Sequence, residues 1–254
     1  MSDLKAIFFD VDDTLYSTSD FARRARENAV DSMIRLGLKM RKEPLIKELD
    51  EVISEFTSNY EHHFDQLLAR LPAHCYSGLN PAFLVASAII AYHDTKMRDL
   101  KPHPDARRAL EVLSRTPLIL GVITAGLKIK QAEKLLRLGL YQYFVPTALF
   151  ISDQIGISKP NVKLYQRACM ALNILPSEAL YVGDNPTHDI DPPNQIGMIT
   201  VRMKRGGRYS EIRGATEPTY ELTSFDDLLT VLSGDFGVDL PLAKASAESG
   251  EAKA

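Results

Sequence analysis

Three aspartates, Asp10, Asp12 and Asp13, follow directly on the apolar run Ala6-Ile7-Phe8-Phe9. Carboxylates at the end of a buried strand are costly unless they are paired or hold a metal. Asp10 and Asp12 are two residues apart, so on an extended chain their side chains point the same way. Two converging carboxylates are donors for a hard cation such as Mg²⁺. One can also attack an electrophile while the other moves a proton. A lone Asp-x-Asp is more often a solvated acidic turn, but this one has company. Gly183-Asp184-Asn185-Pro186-Thr187-His188-Asp189 follows a second apolar run, Ala179–Val182. Thr124 follows a third, Leu118–Ile123, and opens the turn Thr124-Ala125-Gly126, where a hydroxyl and backbone amides suit an anion. Lys159, in Ser158-Lys159-Pro160, brings a positive charge to an otherwise acidic set. Singly, Thr124 reads as a helix cap and Lys159 as a surface lysine. The order, with each group beyond its own strand, carries the weight.

These groups need a scaffold that gathers strand ends. Continuous apolar runs at Ala6–Phe9, Leu118–Ile123, Ala148–Ile151, Ala179–Val182 and Met198–Val201 fit strands buried on both faces. Between them lie helical spacings. Pro104–Leu113 places Ala106, Leu110 and Leu113 together; Lys128–Leu138 places Ile129, Ala132, Leu135 and Leu136; Val162–Leu172 places Leu164, Tyr165, Ala168 and Leu172. The alternation predicts an α/β fold, a Rossmann-like parallel sheet with helices on both faces. Residues 17–100 break the pattern, with four helical stretches and no strand run. They form an α-helical insertion after the first strand, placed to stand as a cap over the strand ends where such sheets hold their sites. The expected division is therefore a core of 1–16 and 101–234 and a helical cap of 17–100. Tyr220–Leu222 reads as a short last strand, and Ser224 with Asp227 as the capped start of a last helix. From Asp235 to residue 254 the chain turns rich in Ala, Ser, Glu and Lys, which predicts a disordered tail.

Composition narrows the partners. Of 254 residues, 30 are Lys or Arg and 33 are Asp or Glu, a net charge of −3 that gives no reason to expect nucleic acid or an anionic membrane. Two cysteines are too few for a disulfide framework and read as reduced core thiols. No apolar run approaches the ~20 residues of a spanning helix, and the N-terminal run ends in acid rather than a cleavage site. A cytoplasmic location is expected.

The ordered set Asp10-x-Asp12-x-Thr14, Thr124, Lys159 and Gly183-Asp184 with Asp189 resembles the four motifs of the haloacid-dehalogenase-like (HAD) phosphohydrolases. The resemblance runs from residue 5 to about 232, and the helical insertion looks like the α-helical cap of the first subfamily. More narrowly, Phe8–Tyr16, Phe21–Met33, Phe64–Leu71 and Ala91–Lys96 are similar to archaeal Mg²⁺-dependent HAD phosphatases, some of which carry a glyceraldehyde 3-phosphate phosphatase label.

The resemblance implies roles. Asp10 matches the nucleophile that forms an aspartyl-phosphate. Asp12 matches the acid/base residue, whose counterpart also gives a backbone carbonyl to the metal. Asp184 matches the direct carboxylate ligand of Mg²⁺, and Asp189 the acid that supports it. Thr14, Thr124, Lys159 and the amides at Val11, Asp12 and Ala125 match the phosphate-binding groups. An acid at position 12 argues for phosphoryl transfer over dehalogenation, because a halide leaves without a proton. Asp13, where many members have Gly, is assigned no chemistry, and His188 reads as a solvated loop residue. Ala125 stands where relatives often carry Asn, and Ile190-Asp191-Pro192-Pro193 replaces the usual small residues, which puts the seating of Asp189 in question. Tyr16, Asn59, His62 and His63 are the candidates for choosing the leaving group.

The implied activity is Mg²⁺-dependent hydrolysis of a small phosphorylated metabolite, a triose phosphate or related sugar phosphate. Pyrimidine 5′-nucleotidases share the Phe-Phe-Asp-x-Asp start and give an alternative. A non-catalytic HAD-fold binding protein is a third reading, opposed by the complete acid, threonine and lysine set. Helices on the cap surface could support a homodimer, but no feature demands one. Five acids at strand ends, faced by a single intended lysine, make activity depend on the metal.

Overall fold

The structure, a computed structural model, describes residues 4–56 and 60–241. The chain divides into two compact units, one formed by the N-terminal residues through Ser17 with the chain from Lys101 on, the other by Thr18–Leu100. Among the described residues, no helix is long and apolar enough to cross a membrane.

The first unit is an α/β sheet structure. Its strands are β1 (Ala6–Phe9), β2 (Ile119–Thr124), β3 (Leu149–Ile151), β4 (Ala179–Gly183), β5 (Ile199–Met203) and β6 (Tyr220–Leu222). They pair in parallel in the order β3-β2-β1-β4-β5-β6. The chain builds outward from β1 to β3, then returns to the other side of β1 for β4. The order thus reverses between β1 and β4, and such a reversal opens a crevice at the C-terminal ends of the two strands. Phe9 lies level with Val122 on one side and Val182 on the other, so Asp10 and Asp184 leave the sheet next to one another. The Asp10 amide still donates to the Val182 carbonyl at 2.9 Å, which carries the ladder one residue past β1.

All four side chains of β1 are buried, as a strand covered on both faces requires. Phe8 packs on one face with Leu164, Tyr165 and Ala168 of α8 (Val162–Ala171). Phe9 turns to the other face, against the rings of Phe144 and Phe225. Phe225 begins α10 (Phe225–Gly234), which packs with α5 (Pro104–Leu113). Ser224 and Asp227 cap α10 reciprocally, as their spacing predicts.

Two sequence expectations need correction in this unit. The helix α6 (Lys128–Arg137) does not face the core with Ile129 and Leu136. Both are mainly exposed, at 71% and 63%, and the buried residues are Gln131 and Leu135. The helix is rotated to bring a polar side chain inward, for reasons that appear at the site. The expected tail is also ordered at its start. Tyr220 donates to Asp235 at 2.8 Å, the Phe236 ring meets Tyr220, and the Val238 amide donates to Leu232. Residues 242–254 lie outside the described residues.

The described secondary structure of the second unit is all helical, with α1 (Thr18–Arg35), α2 (Lys42–Phe56), α3 (His63–Arg70) and α4 (Pro81–Asp99) joined by turns. Ala29, Met33, Leu45, Leu49, Leu67, Leu84 and Ala88 form its core. Asn80 caps α4 by accepting from the Ala82 amide, and Pro81 fills a first-turn position where no N–H is needed.

Gly121 in β2 shows how tightly the sheet is filled. A Cβ there would lie 2.7 Å from the Ala148 carbonyl oxygen and 2.7 Å from the Phe8 ring. We expect Gly121→Ala to destabilise the protein by about 1–3 kcal/mol, the range for overpacking a filled core. Urea unfolding measures it, and an unshifted midpoint would contradict this packing.

Candidate active site

Asp10 follows β1 and is 7% exposed; Asp184 follows β4 and is 8% exposed; Asp189 lies one turn further and is 1% exposed. One carboxylate oxygen from each of the three lies within 4.8 Å of the others. The Lys159 ammonium enters this cluster, donating to Asp10 Oδ1 at 2.6 Å and to Asp189 Oδ1 at 2.8 Å. Lys159 is delivered by the loop between α7 (Ser152–Ile155) and α8. Its side chain is 3% exposed and lies over the Tyr181 ring, 5.2 Å from the centroid.

Asp189 is firmly seated. Besides Lys159, it accepts from the Asn185 amide at 3.0 Å and from the Tyr181 hydroxyl at 3.3 Å. Its own amide donates to the Asn185 carbonyl at 2.7 Å within the π-helical turn Pro186–Ile190. Gly183 makes room for it, since a Cβ there would come within 2.5 Å of the Asp189 side chain. The two prolines therefore do not loosen Asp189. Pro192 and Pro193 occupy the first turn of α9 (Asp191–Gln195), where backbone N–H groups have no helical partner to lose. Asp191 instead anchors a later loop, accepting from the amides of Ala215 and Thr216 at 2.9 and 2.8 Å.

Asp12 goes elsewhere. Its carboxylate, half-buried, does not join the cluster of Asp10, which corrects the expectation that the pair converges. It accepts from Lys134 Nζ at 2.7 and 2.6 Å, one bond to each oxygen, and from Gln131 Nε2 at 3.0 Å. The Tyr16 hydroxyl donates to it as well. The chain leaves the strand after Phe9 and turns through Asp13, whose positive φ of 58° suits an Asp or the Gly of relatives. The strand itself ends at Phe9, so the alternation that would have aligned Asp10 with Asp12 does not extend to them.

The electrostatics divide the two aspartates. Burial pushes Asp10 up to about 7; Lys159 opposes this, and Asp189 and Asp12 reinforce it. Burial and then the charges of Asp189, Asp10 and Asp13 push Asp184 up to about 9. Burial would raise Asp12 too, but the charge and hydrogen bond of Lys134, with the bonds from Tyr16 and Gln131, outweigh it and hold it below the ordinary carboxylate range. For Lys159, burial works against the charge, but Asp10 and Asp189 override it and raise its affinity for the proton.

The phosphate-binding candidates also have definite places. Thr124 ends β2, 1% exposed, and Thr14 is fully buried; neither hydroxyl has a hydrogen-bond partner among the described residues. An orphaned buried hydroxyl is unfavourable, and an oxyanion at the strand end would satisfy Thr124. Ala125 follows it; its carbonyl accepts from Gln131 at 2.8 Å, and the Gly126 amide donates to Ser152.

Of the leaving-group candidates, Tyr16 is 2% exposed and its hydroxyl serves Asp12. His62 is exposed and faces Asp65 at 3.5 Å, while both His62 and His63 meet the Tyr60 ring edge-on within the helical unit. Asn59 lies outside the described residues. His188 is half-buried and gives its carbonyl to the Tyr165 hydroxyl. Lys134 and Gln131 are site residues that sequence reasoning missed. The available signal was their i, i+3 spacing on α6, masked by the apolar residues of the opposite face.

The donor set fits a divalent cation. Three buried carboxylates cluster where one ammonium binds two of them, so positive charge is short, and all-oxygen donors suit Mg²⁺. Asp10 and Asp184 are the side chains that would hold it.

Comparisons with known proteins give the family. A family model described as a haloacid dehalogenase-like hydrolase matches residues 4–197. The glyceraldehyde 3-phosphate phosphatase of Methanopyrus kandleri is 43% identical over 235 residues, covering 90% of this chain and 97% of that protein. That of Pyrococcus furiosus is 41% identical over 241 residues, covering 94% and 97%. Among solved structures, a HAD phosphatase from Thermococcus onnurineus shares the fold, with a TM-score of 0.64 over 91% of this chain and 99% of that one at 24% identity.

The raised carboxyls predict how the metal-free protein responds to pH. Asp184 is near 9 when folded and near 3.8 when not, so the folded form holds its proton more tightly. Stability relative to the protonated state is full below about pH 4 and is lost as pH rises through about 9. In EDTA the melting temperature should fall across that window. Millimolar Mg²⁺ should raise it more near pH 9 than near pH 5. A metal-induced shift that shrinks with rising pH would contradict the assignment.

Proposed function

The chain belongs to the haloacid dehalogenase-like hydrolases, and from that membership we propose that it is a Mg²⁺-dependent phosphatase acting on a small phosphorylated metabolite through an aspartyl-phosphate. The observation that carries this reading is the buried cluster of Asp10, Asp184 and Asp189 at the strand ends, with the Lys159 ammonium bound to Asp10 and Asp189. Glyceraldehyde 3-phosphate is the substrate we favour, because relatives of that name match nearly their whole length.

In this mechanism an Asp10 oxygen attacks phosphorus, and the bond to the leaving alkoxide breaks. Asp12 gives that alkoxide a proton, so it has to enter this step protonated, released from the Lys134 contact that keeps its carboxylate ionised in the free protein. The resulting Asp12 carboxylate then takes a proton from water, which attacks phosphorus and releases phosphate from Asp10. Lys159 neutralises charge on the nucleophile and on the transferring group. Thr124 donates its otherwise unpartnered hydroxyl to a phosphoryl oxygen. A bound Mg²⁺ would reduce repulsion between the anionic nucleophile and the phosphate. The helical unit takes the part of the family's cap and chooses the leaving group, with His62 and His63 as its candidates.

Three outcomes are expected. Asp10→Asn abolishes p-nitrophenyl phosphate hydrolysis and beryllium fluoride binding while leaving the fold intact. Excess EDTA abolishes activity, and Mg²⁺ restores it. A panel of phosphate esters assayed with Mg²⁺ ranks triose phosphates above nucleoside monophosphates. Turnover unaffected by Asp10→Asn or by EDTA would overturn the mechanism, and a preference for pyrimidine nucleotides would replace the substrate.

A further inference from the structure

We propose that Arg208 and Tyr209, carried by the loop between β5 and β6, recognise the oxygens of the leaving group, so that the site prefers small phosphate esters bearing carbonyl and hydroxyl groups. The inference rests on the phosphatase reading and deepens it.

Three observations carry it. First, the loop is fixed at the end of the sheet where the acids lie. Gly183 is level with Arg202 in parallel strands, so Asp184 leaves β4 at the same end at which β5 enters the loop. Arg202 is buried, and its Nη2 gathers the carbonyls of Tyr209, Ser210 and Ile212 at 2.9, 3.1 and 3.0 Å. Further along, Asp191 holds the amides of Ala215 and Thr216, and Gly214 leaves it room, since a Cβ there would lie 2.7 Å from Asp191 Oδ1. Asp191 follows directly on the π-helical turn that seats Asp189. The loop is thus tied on both sides of its middle to the strand and the turn that flank the acid cluster. Both ties grip main-chain atoms, which sets the course of the loop and leaves the side chains of Arg208 and Tyr209 unused.

Second, the other cations of the loop are committed. Lys204 pairs with Glu221 at 3.2 Å, and Arg205 binds Asp105. Gly206 and Gly207, at φ 79° and 91°, turn the chain between Arg205 and Arg208. Arg208 is exposed, makes no ion pair among the described residues, and rests over the Tyr209 ring, 5.5 Å from its centroid. A guanidinium laid on an aromatic face keeps its N–H edge for a planar pair of acceptors. Third, Tyr209 stands near the acids. Burial raises its phenol, Arg208 opposes this, and the charges of Asp184, Asp13 and Asp189 raise it further. Lys159 and Thr124 already meet the phosphoryl group in the proposed mechanism, so the donors of this rim fall to the other end of the ester.

The test uses the full chain with Mg²⁺ and three phosphate esters: glyceraldehyde 3-phosphate, glycerol 3-phosphate and propyl phosphate. All have three carbons, and propyl phosphate lacks the extra oxygens. The readout is selectivity, the ratio of kcat/KM for each oxygen-bearing ester to that for propyl phosphate. Arg208→Met should lower this ratio about tenfold, the order expected for losing a hydrogen bond from a charged donor. Arg208→Lys keeps the charge without the fork and should recover part of it. Tyr209→Phe, which keeps the ring, should lower the ratio about threefold.

A wild-type ratio near one overturns the inference while the phosphatase reading stands. So does an unchanged ratio in Arg208→Met, whether kcat/KM is retained on all three esters or lost equally, since an equal loss places the cation on the phosphate they share. Wild-type protein that turns over no phosphate monoester in Mg²⁺ overturns that reading and this inference with it.

Discussion

Lys159 places one ammonium in contact with Asp10 and Asp189, in a site where all three side chains are nearly excluded from water. Removing one member of such a group would leave a buried charge without its partner, which is far more costly than losing an exposed ion pair. Much of the local structure serves this contact. Parallel pairing of β1 with β4 sets Asp10 beside Asp184. Gly183 has no side chain because Asp189 fills that space, and the π-helical turn folds Asp189 back onto the Asn185 amide. Tyr181, inside β4, donates to the Ile123 carbonyl at 2.8 Å and also reaches Asp189, so the hydroxyl ties two strands to the acid cluster.

A second lysine makes the arrangement asymmetric. Asp10 and Asp12 are two residues apart in sequence, yet one is raised to about 7 and the other lowered. The difference comes from neighbours: Asp10 is buried and shares its lysine with Asp189, whereas Asp12 is bound by Lys134 along with two neutral donors. Because β1 ends at Phe9, Asp12 lies outside the alternation that would have aligned it with Asp10.

The sheet was legible because its strands are short, apolar and buried on both faces; every expected strand exists within a residue or two of its predicted ends. The acids were legible because buried strands rarely end in carboxylates without cause. What escaped was decided by tertiary contacts. The apolar pattern of α6 pointed Ile129 and Leu136 inward, and the structure turns them out because Gln131 and Lys134 bind Asp12. The prolines after Asp189 read as a disturbance, but their place in the first turn of α9 makes them compatible with a tightly held acid. The start of the expected tail is held by Tyr220, a contact between segments that composition does not register.

The central claim is that Asp10 and Asp184 form a cation site beside Lys159. Anomalous diffraction from crystals of the full chain grown with Mn²⁺, a hard cation with the same preference for oxygen, tests it most directly. The account predicts a single strong peak between the Asp10 and Asp184 carboxylates, lost in Asp184→Asn. A peak elsewhere, or a Mn²⁺ site untouched by Asp184→Asn, would contradict it.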